Sequence, residues 1–256
     1  MSDYQNLVLS IDNGIAHLQL NRAQKKNAIN DQMILELESA LQAMTENGSN
    51  ITVLVLSGAG DSFCSGLDLS EHTARTPFDV VKHSQMWHRV FRHLNSSGIP
   101  VVSAMHGAVI GGGLELAACT HVRVAEPDTL FMLPEGRHGI FVGGGASVHV
   151  ARIIGTSRMT DMMLTGRSYT AEEGERIGLV HYLVEKGKAL RKAFELARRI
   201  AENAPLSNWA MVNALSRIEN MSADDGLFTE SLTAGLTQSS DEVELRISQF
   251  LNRKKT

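Results

Sequence analysis

The sequence predicts an α/β core followed by a helical C-terminal region, and three observations carry that reading. Two short, continuous apolar runs, Ile51–Leu56 and Pro100–Ala104, have the length and β-branched content of strands buried on both faces. Each run is followed by a glycine-rich loop and then by a segment with helical periodicity. Strand-like patterns stop at Val184, and from Lys188 onward the spacing is helical to the end, broken at Pro205. These features suggest a core over 1–197 and a helical appendage over 198–256.

The elements follow in order. Leu7–Ile11 and Ile15–Leu20 flank Asp12-Asn13-Gly14, a turn whose Asn-Gly pair supplies the positive φ angles of a tight hairpin. A polar loop over Asn21–Asn27 precedes an amphipathic helix from Asp31 to Asn47. There Ile34, Leu37, Leu41 and Met44 recur at three or four residues and Gly48 supplies the stop. After the strand Ile51–Leu56 comes the loop Ser57–Asp68, then a helix over Phe78–Asn95 and the strand over 100–104. His106-Gly107 leads to Gly111-Gly112-Gly113 and a short helix through Cys119; strands are expected at His121–Val124 and Thr129–Met132. Gly143-Gly144-Gly145 precedes a helix to Ile154, Thr170-Ala171-Glu172-Glu173 has a capping-box spacing, and Leu179–Val184 is a late strand.

Composition narrows the function classes. Hydrophobic residues make up 43% of the 256 and charged residues 20%, which argues for a globule and against disorder. The net charge of −4 lacks the basic excess of a general nucleic-acid binder. Cys64 and Cys119 form no CxxC, so neither a disulfide scaffold nor a structural zinc is expected, and free thiols suit a reducing compartment. Met1-Ser2-Asp3-Tyr4 shows no basic segment leading into an apolar run, and the most apolar stretch, about 99–118, contains His106, glycines and Glu115. The expectation is a soluble cytoplasmic protein without nucleic-acid or membrane partners.

Chemistry concentrates in the two glycine-rich loops, because loops at strand ends of α/β sheets are where ligands bind. Gly111-Gly112-Gly113 leading into a helix offers unbonded N–H groups to an oxyanion or carbonyl oxygen. Glu115, three residues after Gly112, shares its turn, and its apolar flanks Leu114 and Leu116 make it a poor surface residue. Glu135 lies past the strand expected at 129–132, where a second carboxylate can return to the same place.

These residues sit in an ordered set of motifs that resembles the enoyl-CoA hydratase/isomerase (crotonase) family. Phe63-Cys64-Ser65-Gly66-Leu67-Asp68-Leu69 is similar to its Gly-Ala-Asp-Leu segment, and Gly111-Gly112-Gly113-Leu114-Glu115-Leu116 to its Gly-Gly-Gly-X-Glu-Leu segment. Asn21-Arg22 with Asn27-Ala28, Pro134-Glu135, Leu164-Thr165-Gly166 and Gly178-Leu179-Val180 also fit, so the resemblance covers about 5–200 strongly. It implies a crotonase-like spiral of ββα units with a C-terminal helical oligomerisation region, in a trimer or dimer of trimers. Trp209, Met211, Leu215 and Leu236 are candidate contacts. It also implies an acyl-CoA substrate and no cofactor, coenzyme A being part of the substrate.

By the same resemblance, the N–H groups of Leu67 and Gly112 polarise a thioester carbonyl, Glu115 is base to water and Glu135 donates a proton to the α-carbon. Phe63, Cys64, Ser65, Gly66, Leu67, Asp68, Leu69, Gly111 and Gly112, with Lys26, are the expected acyl-CoA contacts. Lys25 and the terminal Arg253, Lys254 and Lys255 are further candidates for phosphates. Gly136-Arg137-His138-Gly139 departs from the family pattern. Basic groups facing the site would lower the Glu135 pKa or receive a polar acyl group; facing outward, they would serve a subunit contact.

The leading expectation is an enoyl-CoA hydratase. An isomerase, a hydratase-lyase or a CoA-thioester hydrolase would use the same oxyanion site; a non-catalytic acyl-CoA binder or oligomer scaffold would need neither glutamate, and an RNA-binding homologue would need a basic stripe that the net charge of −4 does not suggest. Gly58-X-Gly60 is a poor dinucleotide signature because Phe63 stands where a small residue is required. His83, His88 and His93, five apart, do not share a helix face for a metal and read as exposed helix residues; Met159, Met162 and Met163 read as core.

Overall fold

The structure, a computed structural model, describes residues 4–46, 49–71 and 75–253. Strands β1 (Leu7–Asp12) and β2 (Ile15–Leu20) form the expected hairpin. Its turn residues Asn13 and Gly14 have φ of 49° and 77°, and Leu7 pairs with Leu20. Helix α1 (Asp31–Thr45) starts where Asn30 Oδ1 accepts the Met33 N–H; its expected stop at Gly48 lies outside the described residues. Strand β3 (Val53–Gly58) is buried along its whole length, and α2 (Pro77–Ser96) follows, with Thr76 as N-cap and Pro77 at the first helical position.

From there the chain alternates between two sheets. Strand β4 (Val101–Met105) joins β3 and then leads into β5 (Ala108–Ile110), which starts a second sheet, and into α3 (Gly112–Ala118). Strand β6 (Val122–Ala125) returns to the first sheet, and β7 (Leu130–Met132) pairs with β5 in the second. Helices α4 (Ala146–Ile154) and α5 (Thr156–Thr165) come next, then β8 (Tyr169–Thr170), α6 (Ala171–Arg176) and β9 (Tyr182–Leu183). The large sheet has the order β1-β2-β3-β4-β6-β9, parallel except for the hairpin, and the small one β5-β7-β8. This winding of strand pairs and helices is the spiral of ββα units.

Side chains alternate across β3, so Leu54 and Leu56 join a core with α1 and α2, while Val53 and Val55 face a second core on the opposite side. Helix α7 (Ala189–Ala201) covers that second side through Ala189, Ala193, Leu196 and Ala197. The boundary expected at 197/198 therefore falls inside α7, whose apolar face needs the sheet; the chain breaks instead at 202–204.

The tail contains more breaks than Pro205 alone predicts: α8 (Pro205–Ile218), α9 (Ala223–Gln238) and α10 (Asp241–Arg253) are separate. Ser222 starts α9 by accepting the Asp225 N–H. Only Tyr182 and Leu183 of the strand expected over Leu179–Val184 are extended, because Leu179 N–H turns back to Gly174 O. Among the described residues no helix is long and apolar enough to cross a membrane.

Candidate active site

The loop after β3 is threaded between two extended segments. Phe63 N–H donates to His106 O, Cys64 N–H to Ala108 O, and Ile110 N–H to Cys64 O; on the other edge Ile29 N–H donates to Gly66 O and Asp68 N–H to Ile29 O. Ladder bonding on both sides leaves the N–H of Leu67 turned away from its partners. That N–H, and that of Gly112 at the start of α3, donate to no group among the described residues. The two lie side by side: a Cβ placed on Gly112 would stand 3.6 Å from Leu67 N, and one on Gly66 would stand 3.2 Å from Gly112 N. Gly66 and Gly111 reach this geometry at φ of 97° and 52°, which L side chains rarely adopt. The amides open into a cleft of about 460 Å³ that Glu115 and Glu135 also line.

Glu115 is buried, and its Oε1 accepts the N–H groups of Gly144 (2.9 Å) and Ala146 (3.0 Å). Burial pushes its carboxyl above the ordinary range, against the downward pull of the Ala146, Gly144 and Gly145 amides. The third glycine run, expected only to open a helix, thus cradles the carboxylate: a Cβ on Gly144 would lie 2.6 Å from Glu115 Oε2.

Glu135 begins a short 3-10 turn over Glu135–His138 and lies against Gly111. Its Oε2 is buried and has no hydrogen-bond partner among the described residues. Burial, with a smaller contribution from Glu115, pushes its carboxyl up to about 7. The two basic neighbours do not lower it. Arg137 turns away to donate to Gly166 O (3.1 Å), and His138 alone lines the cleft.

Of the residues expected to contact acyl-CoA, Ser65, Gly66, Leu67, Asp68, Leu69, Gly111 and Gly112 line the cleft. Phe63 and Cys64 do not line it. Both are fully buried with their amides bonded, and the Cys64 thiol donates to Asn27 O, so they lock the loop in place. Asp68 reaches the cleft wall, but its carboxylate is engaged by Ser70 and by Arg22 (2.9 Å), and these partners, Ser70 first, hold it down to about 2. Lys26 is exposed outside the cleft, its carbonyl accepting Ser65 N–H, and Lys25 Nζ donates to Ser70 Oγ. Lys254 and Lys255 lie outside the described residues.

Helix α2 contributes side chains that the spacing of its histidines did not reveal. Trp87 packs edge-on against Phe91 (5.5 Å) and stands beside Gly112; Ser84 Oγ donates to Gly143 O (2.6 Å); His83 meets Asp31 Oδ1 (2.8 Å). All three line the cleft, so His83 is not simply exposed. The legible signal was their i, i+1, i+4 placement on one helical turn. Met159 and Met162 are core, as expected.

Residues 10–256 match the family model described as enoyl-CoA hydratase/isomerase. The chain is 29% identical over 254 residues to a short-chain-enoyl-CoA hydratase of Clostridium acetobutylicum, covering 99% of this chain and 97% of that one. It is 30% identical to a 2,3-dehydroadipyl-CoA hydratase of Escherichia coli, covering 97% and 96%. It superimposes with a TM-score of 0.95 on a solved structure from Rhodopseudomonas palustris provisionally described as an enoyl-CoA hydratase, at 46% identity over 100% of this chain and 98% of that one. With the fold, the ordered motifs and these full-length matches in agreement, the chain belongs to the enoyl-CoA hydratase/isomerase family.

Proposed function

We propose that the protein is an enoyl-CoA hydratase that adds water across the double bond of a 2-enoyl-CoA thioester. The observation that carries this reading is the unequal pair of carboxylates in one cleft: Glu115 held by backbone donors, and Glu135 with a buried oxygen that has no partner among the described residues and a carboxyl pushed up to about 7. Burial raises the Glu115 carboxyl, but the backbone donors aimed at it stabilise its charged form, and we assign it as the base. An acid near neutral pKa is the better proton donor, so Glu135 is the acid.

In the proposed reaction the thioester oxygen lies between the N–H groups of Leu67 and Gly112. Glu115 takes a proton from water as the water oxygen bonds to the β-carbon. The alkene electrons move into the thioester as an enolate, whose oxygen the two amides stabilise by roughly 3–4 kcal/mol each. Glu135 then delivers its proton to the α-carbon, the carbonyl re-forms, and solvent exchange resets both carboxyls. No cofactor is required. Isomerisation needs only one shuttling carboxylate, and two are supported here.

Ser65, Gly66, Asp68, Leu69 and Gly111 shape the walls for the acyl-CoA, and Lys26 meets its phosphates. We place the protein in the cytoplasm, where Cys64 and Cys119 stay reduced. The tail mediates a homotrimer or a dimer of trimers: Leu215, Leu227, Phe228, Leu232 and Leu236 are exposed on it and need a covering surface. Light scattering of the purified protein tests that assembly.

Loss of enoyl absorbance from crotonyl-CoA tests the reaction. Glu115→Gln and Glu135→Gln should each slow it at least about 10²-fold. A parent protein that binds CoA and hydrates nothing would overturn the reading.

A further inference from the structure

The catalytic cleft has a second recess behind one of its walls. That outer recess, about 630 Å³, is lined by Lys82, Met86 and Arg89 among others, and it shares Asp31, Arg75 and His83 with the cleft. The shared residues are bonded to one another: Asp31 Oδ1 meets His83 Nε2 at 2.8 Å, and Asp31 Oδ2 accepts from Arg75 at 2.8 Å. The side chains of His83 and Arg75 are 16% and 22% exposed and that of Asp31 53%, so the cluster stands between the cleft and an outer recess that opens to solvent.

The direction of the acyl chain follows from the proposed hydratase geometry, on which this inference rests. With the carbonyl at Leu67 and Gly112 and the β-carbon at Glu115, the chain beyond the β-carbon runs past the loop that holds Glu115. That loop is pinned to α2 by Ser84 through Gly143 O. Trp87 lines the cleft beside Gly112, its indole N–H donates to His83 Nε2 (3.4 Å), and His83 in turn meets the Asp31–Arg75 pair. An apolar chain that reaches this point meets charged, hydrogen-bonded groups, and it can pass only by separating them, which leaves polar groups unpaired against hydrocarbon.

We propose that the His83–Asp31–Arg75 cluster closes the distal end of the acyl pocket, restricting the enzyme to short 2-enoyl thioesters, and that opening it joins the cleft to the outer recess. Asp31 begins α1 and His83 lies on α2, so the partition is set by the packing of these two helices against each other.

The test compares kcat/KM for 2-butenoyl-, 2-hexenoyl- and 2-decenoyl-CoA in the parent protein, His83→Ala and Arg75→Ala. Arg75 is the more peripheral member, so its variant guards against misfolding of the first; melting curves confirm both are folded. The parent should favour the four-carbon over the ten-carbon substrate by at least about tenfold, and each variant should shrink that ratio by about tenfold. A parent that uses decenoyl-CoA as well as butenoyl-CoA, or folded variants with an unchanged ratio, would overturn the partition while leaving hydration intact. A parent inactive on all three substrates would overturn the hydratase reading and this inference with it.

Discussion

Gly112 and Trp87 are in such close register that a Cβ on the glycine would lie 2.6 Å from the ring carbon Cζ3 of the tryptophan. The indole thus presses on the backbone whose N–H, in the proposed reaction, holds the oxyanion. A well-placed donor matters because it is already aimed when charge develops.

Gly112→Ala should therefore displace either Trp87 or the amide. The expected outcome is a fall in kcat of about 10²-fold or more with the fold retained, measured with crotonyl-CoA beside a circular dichroism spectrum. Retention of full kcat would show that this amide does not serve the reaction.

The carboxyl of Glu135 should be visible in the pH profile. As the proposed donor it must carry its proton in the reactive state, and its carboxyl is pushed up to about 7. Activity should fall as pH rises through about 7, and Glu135→Asp should move that limb while Glu135→Gln abolishes it. A profile flat from pH 6 to 9 would reject Glu135 as the acid.

The same burial has a stability cost with a definite sign. Between the ordinary value of 4.5 and about 7 the folded protein keeps a proton that the unfolded chain has released, so stability declines as pH rises across that window. Glu135→Gln removes the titration. It should stabilise the protein relative to the parent by up to about 3 kcal/mol at pH 8 and change little at pH 4, read as melting temperatures at both values.

Asp68 shows the opposite linkage. Ser70 and Arg22 hold its carboxyl down to about 2, so its contribution is present above the usual carboxylate range and is lost as pH falls toward 2. Asp68→Asn removes one charged partner of buried Arg22, whose bond to Ala28 O remains, and should cost about 1–3 kcal/mol at pH 7, and less in acid. Urea unfolding at pH 7 and pH 3 checks this.

Phe63 separates a core role from a binding role. Its side chain is fully buried, so Phe63→Ala should cost about 3–5 kcal/mol in stability. The KM of the surviving folded protein should stay within about threefold, since no part of the residue lines the cleft. A large rise in KM at unchanged stability would restore Phe63 as a substrate contact.

Much of this molecule was written locally in the chain. Asn13-Gly14 made its hairpin because only such residues accept two successive positive φ angles, and Thr170 with Glu173 closed a capping box by reciprocal bonds within one turn. The ordered glycine motifs also marked the loops that line the cleft, and Glu115 was legible as a carboxylate in an apolar helix. Other properties depend on contacts between residues remote in sequence, which local pattern does not encode. Gly144 and Ala146 reach Glu115 from 29 and 31 residues away, and His83 reaches Asp31 across 52. Burial of Phe63 and Cys64, the outward turn of Arg137 and the burial of the Glu135 carboxyl were likewise decided when helices and two sheets closed on one another. Solvent exclusion and hydrogen-bond competition are settled only in three dimensions.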